Sequence, residues 1–435
     1  MNAEVSAPTH ARKVVVALTL ALVAVAYLDR VCISTAAPAI RAELGLDQEQ
    51  MGIVFSAFTF AYALFEMPSG WLADKFGARR ALMRIVVFWS AMTAGTGLAA
   101  GYASLVALRI LFGMGEAGAF PATARAYARW LPPIERGRAF GLAIMTGALA
   151  GALTQPLVVR LQPLVGWRAS FAIFGSVGVV WSILWWTYFR DDPRAHRSVN
   201  DAELAVIGAA GDPPPHGAVP FRALVKNRTI VALSFVYIGT IYGWYFYLTW
   251  LPTYLLEARG FDTKTMGWFS AAPLLGIALG VFLGGVLSDV LPSRLGKRNG
   301  RRVGGLVGLP LAAVTVTVAI ATPHPVASAL FLALAAMLAA LGVAPAWTIC
   351  VDIGGPHAGV VSGAMNMCGN LAGAVGSYVV GFFVQRLHSY DAPMYSMAAM
   401  YLVAATGWLF VDPSRTLSEA LAAQRPGRAA GAPST

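Results

Sequence analysis

Long apolar runs recur from one end of this chain to the other, and their spacing predicts its architecture. Between charged or turn-rich breaks there are twelve: roughly 14–37, 50–73, 81–100, 104–127, 138–161, 169–189, 229–255, 266–290, 303–321, 326–350, 358–385 and 393–411. A helix rises 1.5 Å per residue, so about 20 apolar residues cross a hydrocarbon layer of about 30 Å. Six runs lie on each side of one long polar interval, 190–228, which holds Asp191, Asp192, Pro193, the Asp212-Pro213-Pro214-Pro215 run and Lys226. The pattern predicts an all-α membrane protein with twelve transmembrane helices in two six-helix bundles, 1–189 and 229–411. The interval 190–228 would link them, and 412–435 would form a tail. The first run exceeds the apolar core of a signal peptide and lacks a cleavage pattern, so it is expected to remain as the first helix.

Composition sharpens the class. The 435 residues are 57% hydrophobic and 12% charged, whereas a soluble domain carries about a quarter charged residues to cover its surface. A soluble enzyme is thereby excluded. Forty-five glycines and 25 prolines suit membrane helices, where small residues allow close packing and neighbours satisfy freed backbone groups. Cys32, Cys350 and Cys368 all lie in apolar runs, which gives neither a disulfide framework nor a metal-ligand spacing.

Charge placement predicts orientation, because cytoplasmic loops carry the excess of Lys and Arg. With the N-terminus inside, 24 of the 32 basic residues fall on the cytoplasmic side and 6 on the other, leaving Arg30 and Arg109 within spans. Both termini are therefore expected in the cytoplasm, with the chain integral to the inner membrane. The formal charge of +11 follows from this asymmetry and from anionic lipid at the inner leaflet, so membrane lipid and not nucleic acid is the expected partner. The chain is expected to work as a monomer.

An internal repeat is also visible. The segment after the second run reads Gly70-Trp71-Leu72-Ala73-Asp74-Lys75-Phe76-Gly77-Ala78-Arg79-Arg80. The segment after the eighth reads Gly285-Val286-Leu287-Ser288-Asp289, followed by Arg294 and Gly300-Arg301-Arg302. Asp74 and Asp289 stand 215 residues apart, as a duplicated six-helix unit predicts. A helix-end carboxylate opposite basic residues across a seam can pair in one conformation and part in another, which makes Asp74, Arg79, Arg80 and Asp289 candidate gate residues. Asp352, at another helix end, is read the same way.

On these segments the chain resembles the major facilitator superfamily, whose helix 2–3 signature Gly70 to Arg80 matches. Within it, Tyr27-Leu28-Asp29-Arg30-Val31-Cys32-Ile33-Ser34, Arg109 to Gly118, Arg129-Trp130-Leu131-Pro132 with Glu135 to Arg138, and Gly359 to Gly373 resemble the anion:cation symporters. That group includes bacterial sugar-acid permeases and animal vesicular glutamate and lysosomal sialic-acid carriers. The resemblance spans almost all of the chain. It implies a carrier without a cofactor, the proton serving as coupling ion.

Ionisable groups deep in a span cost about 2.5–3.5 kcal/mol each on insertion scales, so they persist where they face a cavity or a partner. Asp29, Arg30, Glu66, Arg109 and Glu116 stand out. Asp29 and Arg30, being adjacent, point about 100° apart, so one can face a central cavity and the other the fourth helix. A guanidinium is always charged and its fork matches a carboxylate with two parallel bonds, which makes Arg30 the first candidate for binding an anion. The resemblance implies the same role. The alternative is a structural partner of Asp29 or Glu116. Tyr27 lies three residues before Arg30, on the same face.

A cavity carboxylate whose surroundings change between two conformations can load and unload a proton. Asp29 and Glu116 are the candidates, and the resemblance implies proton carriage for both. Arg109 either orients that site or snorkels towards the outer leaflet. Glu66 is read as a partner of the basic loop below it, or as a third protonatable group.

The seventh run is aromatic, and Tyr242 and Tyr245 are placed to offer hydroxyls to a sugar-like ligand. Asn366 and Asn370, four apart, share one face of the eleventh helix and suit hydroxyls or interhelical bonds equally. Tyr62, and more weakly Trp347, are further lining candidates. With Arg30 the one clear cavity cation, a monocarboxylate fits better than a dicarboxylate. The function expected is proton-coupled import of an organic anion, most simply a sugar acid, by alternating access. An exporter or antiporter of organic anions or lipophilic metabolites, and sodium-coupled uptake, are the alternatives. An intramembrane hydrolase is set aside, since no histidine lies mid-span to serve as base.

Overall fold

The computed structural model describes residues 7–208, 221–355 and 358–413, with the side chains of Met67, Gly70, Trp71, Ala73, Asp74, Pro133 and 221–223 excepted. Twelve helical spans run through the described residues. In the first half they are α1 (Ala11–Leu44), α2 (Gln48–Phe76), α3 (Ala78–Thr96), α4 (Tyr102–Trp130) and the stretch Pro133–Tyr188, which Gly166 divides into α5 (133–165) and α6 (167–188). Gly166 sits at φ 76° and ψ 165°, a conformation open to glycine and strained for other residues. That one residue turns 56 continuous helical residues into a hairpin of two spans.

The second half holds α7 (Arg228–Thr249, continued by Leu251–Glu257), α8 (Thr263–Val290), α9 (Pro292–Ala321), α10 (Pro325–Gly354), α11 (Ala358–Leu387) and α12 (Asp391–Gly407). The order matches the hydrophobic runs, with ends displaced by a few residues where caps decide. The Asn227 side chain accepts from the Thr229 and Ile230 amides to open α7, and Asp262 accepts from Lys264 and Thr265 to open α8. The duplication is visible in the backbone as well. In α4 the helix is interrupted after Glu116 and resumes at Ala119; in α10 it is interrupted after Ala340 and resumes at Val343.

Both chain ends described, residues 7 and 413, lie at one end of the bundle, termed proximal here; the other end is distal. Part of the interval 190–228 is ordered against the first half. Its short helix Asp201–Ile207 presents Glu203 to the start of α1, where the carboxylate accepts from the Arg12 amide at 3.1 Å and the Arg12 guanidinium at 2.8 Å.

The halves meet along α2 against α11 and α5 against α8. Contact is tightest distally: a Cβ on Gly381 of α11 would lie 2.5 Å from the Gln48 carbonyl of α2, and one on Gly267 of α8 would lie 2.8 Å from Val159 of α5. Proximally the same helices diverge, for a Cβ on Gly141 of α5 or Gly363 of α11 would meet nothing within 4 Å. The space between the halves is thus closed distally and opens towards the proximal end.

Candidate functional site

The central cluster begins at Arg30 on α1. Its Nε donates to Oε1 of Glu116 on α4 at 2.5 Å, with the two side chains 11% and 0% exposed. The guanidinium lies over three rings: Tyr62 at 4.5 Å, Phe58 at 5.4 Å and Tyr27 at 5.5 Å. Aromatic faces attract a desolvated cation and hold it in position while leaving its N–H groups free for a ligand. Arg30 Nη2 and Glu116 Oε2 are both buried and without a hydrogen-bond partner among the described residues.

Tyr27 reaches this position because α5 carries glycine opposite it; a Cβ on Gly147 would lie 2.5 Å from the ring. The second half closes the cluster with Tyr245 of α7, which is within electrostatic reach of Arg30 and donates to Oδ1 of Asn370 on α11 at 3.0 Å. Glycine opposite the ring matters again here, since Gly373 of α11 packs directly on Tyr245. Of the residues singled out in the sequence, the fold therefore gathers Arg30, Glu116, Tyr27, Tyr62, Tyr245 and Asn370 around one space between the halves.

Asp29 and Arg109 form a second, drier layer behind it. They are 1% and 3% exposed. The adjacent pair Asp29 and Arg30 does diverge, but Arg30 alone faces both the cavity and α4. Asp29 turns to α3, where Trp89 and Thr93 stand within reach of its carboxylate. The reason is rotational: Arg30 already points at Glu116, and a step of about 100° carries its neighbour past α4. Arg109 does not snorkel. Its guanidinium packs on Phe58 at 4.7 Å and Phe112 at 4.8 Å, within electrostatic reach of Asp29 and Glu116.

Two expectations are corrected, and the gate residues are found in local contacts. Tyr242 bonds Ser396 of α12 at 2.8 Å, so its hydroxyl serves the α7–α12 contact and not the cluster. Three residues apart, Tyr242 and Tyr245 lie about 60° from each other around α7, and because α7 packs against both α11 and α12 one hydroxyl reaches Ser396 and the other Asn370. Glu66 does not reach the basic loop; Asn366 of α11 donates to its two oxygens at 2.7 and 3.0 Å, joining the two halves. The gate residues pair within their own halves. Arg79 donates to the Trp186 carbonyl at 2.7 Å and stacks on that ring, its amide donating to Asp191. Asp352 accepts from Arg301 and lies 3.2 Å from Lys297. Arg80 and Asp289 are exposed. The proximal divergence accounts for this, because a seam whose faces are apart leaves its charges to local partners. The Asp74 side chain lies outside the described residues.

Two residues escaped the sequence reading. Tyr237 of α7 accepts from the indole of Trp347 on α10 at 3.0 Å, and Gln155 of α5 accepts from Thr35 of α1 while its own amide nitrogen is unpartnered. A lone glutamine in an apolar run was the signal available for the second; the first was hidden among seven aromatic residues of one helix.

Comparison with known proteins identifies the family. Over 399 residues the chain is 38% identical to the probable sulfoacetate transporter SauU of Cupriavidus necator, covering 90% of this chain and 92% of that one. Over 369 residues it is 28% identical to the hexuronate transporter of Bacillus subtilis, covering 84% and 86%. Its fold matches the crystal structure of a bacterial homolog to the human lysosomal transporter Spinster, in inward-facing and occupied conformation, with a TM-score of 0.74 at 20% identity over 92% of this chain and 96% of that one. The family model described as Major Facilitator Superfamily matches residues 19–377. By its family and its relatives the chain is a multi-pass membrane transporter and not an enzyme, and it belongs to the major facilitator superfamily.

Proposed function

We propose that this protein imports an organic monoanion, a sugar acid or a similar hydroxylated carboxylate, together with protons, by alternating exposure of the Arg30 site. The observation that carries the reading is the Arg30–Glu116 pair, buried among rings with a free donor and a free acceptor. A substrate carboxylate and Glu116 compete for one guanidinium. If the substrate takes it, Glu116 is left as a buried, unpaired carboxylate, a state so unfavourable that it binds a proton. Anion binding and proton binding at Glu116 are then one linked event.

Charge bookkeeping supports the coupling. Two arginines, Arg30 and Arg109, stand among three carboxylates, Asp29, Glu66 and Glu116. With all five ionised the site is already negative by one, so an added anion is accepted when carboxylates are protonated. Inward movement of one negative charge against a negative-inside potential costs about 2.3 kcal/mol per 100 mV. One proton cancels that charge, and two, on Asp29 and Glu116, make uptake electrogenic and favourable.

The proximal opening, read with the basic excess of the proximal segments, gives a cytoplasm-facing state in which substrate would be released. Names among the relatives point to acids with one carboxylate, as in hexuronate, and with two acid groups, as in sulfoacetate. The presence of one central guanidinium facing the cavity favours the former here. The test is uptake of labelled aldonates, hexuronates and aldarates into proteoliposomes with and without an inward proton gradient. Gradient-dependent accumulation of an acid, abolished in Arg30→Lys, is expected. Accumulation that follows a sodium gradient, or survives Arg30→Lys, would refute the reading.

A further inference from the structure

Glu66 has no part in the exchange just described, yet it is held at the same space. It lies one helical turn beyond Tyr62 on α2, on the same face, and the Tyr62 ring lies 4.5 Å from the Arg30 guanidinium. Its partner is the Asn366 side-chain amide, at 2.7 and 3.0 Å. A carboxylate offers about four acceptor positions and one amide nitrogen has two hydrogens, so at least two positions are left over. Among the described residues no cation pairs with Glu66, and Arg30 is committed to Glu116. The cavity is therefore polarised, with a guanidinium at its centre and, one turn of α2 beyond Tyr62 towards the opening, a carboxylate that forms no ion pair among the described residues.

We propose that Glu66 is a specificity-determining residue: with Asn366 it accepts a hydroxyl or amine of the substrate at the end away from Arg30 and turns away a second acid group there. This rests on the anion-import reading above. A monoanion of a few carbons spans the interval with its carboxylate on Arg30 and its terminal hydroxyl donating to Glu66. A dianion of the same length would set carboxylate against carboxylate in a partly dehydrated space, where like charges are poorly screened. The residue thus distinguishes two acids that Arg30 alone would treat alike.

The pair gluconate and glucarate isolates this difference, since they match in length and hydroxylation and differ at the terminal carbon. Their uptake KM values would be measured in proteoliposomes for the native protein, Glu66→Gln and Arg30→Lys. Preference for gluconate in the native protein that narrows at least tenfold in Glu66→Gln, mainly through a lower KM for glucarate, is the expected result. An unchanged ratio in a Glu66→Gln protein that still transports would overturn the proposal while leaving the import reading intact. So would a change in proton stoichiometry without a change in ratio, which would make Glu66 a coupling group. Loss of transport of both acids in Glu66→Gln, with Glu66→Asp failing to restore the native ratio, would equally overturn it. Transport of neither acid by the native protein, nor of any other acid in the panel, would overturn both.

Discussion

Closure of the distal end depends on a hub that one substitution can test. Glu257, at the end of the α7 continuation, accepts from Arg41 of α1 at 2.6 Å, from Gln48 of α2 at 2.6 Å and from Tyr390 at 3.2 Å. Arg41 and Gln48 belong to the first half, Glu257 and Tyr390 to the second. These contacts border a distal cavity of about 700 Å³ that Arg259 and Asp391 also line. Glu257→Gln keeps the shape and removes the charge. The Arg41 pair, with side chains 18% and 37% exposed, is screened by solvent and contributes about 0.5–1 kcal/mol. Weakening the Gln48 bond from charge-assisted to neutral costs about 1 kcal/mol. Together they shift the balance between closed and open distal ends by about 1–2 kcal/mol, roughly 5- to 30-fold. Ser377 of α11 is fully buried beneath this contact, its carbonyl accepting from the Trp250 indole. With Cys32, Cys350 and Cys368 replaced by serine, Ser377→Cys would report distal opening through its rate of reaction with a membrane-impermeant maleimide. A 5- to 30-fold faster reaction in Glu257→Gln is expected. Glu43→Gln serves as control, because Glu43 bonds Arg168 within the first half. An unchanged rate in Glu257→Gln, or an equal rise in Glu43→Gln, would refute the reasoning.

Three further outcomes follow from the geometry. Glu116→Gln keeps a partner for Arg30 but cannot take up a proton, so counterflow exchange of substrate is expected to persist while gradient-driven accumulation falls at least tenfold; both are read in the same vesicles. Gly147→Val places a branched side chain where the Tyr27 ring lies, forcing the ring off Arg30, and should raise KM severalfold with little change in expression or melting temperature. Burial pushes the Glu203 carboxyl up, but the Arg12 amide, its guanidinium and the His10 amide outweigh this and hold it below the ordinary carboxylate range. A carboxyl lowered by folding contributes stability that is present above about pH 4.3 and is lost as pH falls through its folded value. Melting temperature should therefore fall between pH 5 and 3, and the fall should be shallower in Glu203→Gln.

What could be read from the sequence, and what could not, divides along a physical line. Span number and order were legible because membrane insertion is a property of each segment alone: twenty apolar residues suffice, whatever surrounds them. Arg30 and Glu116 were legible for the same reason, since an ion in a span demands a partner or a cavity wherever it sits. The choice of partner is a property of pairs of helices. Glu66 and Asn366 are 300 residues apart, and nothing local to either states that α2 and α11 face each other or that their proximal ends diverge. Tyr242 and Tyr245 are equivalent in the sequence. They differ in the fold because α11 brings Asn370 to one and α12 brings Ser396 to the other. The glycines stand between these cases. Gly147 and Gly373 read in isolation as small residues of a membrane helix, and their meaning lies in the rings of Tyr27 and Tyr245 that fill the space they leave. The intramembrane charges can thus be listed from the sequence, whereas the contacts between the halves that pair them cannot. Glu66 bonds Asn366 across that seam at the cavity itself, so the proposed recognition of substrate and the parting of the halves would act on the same atoms.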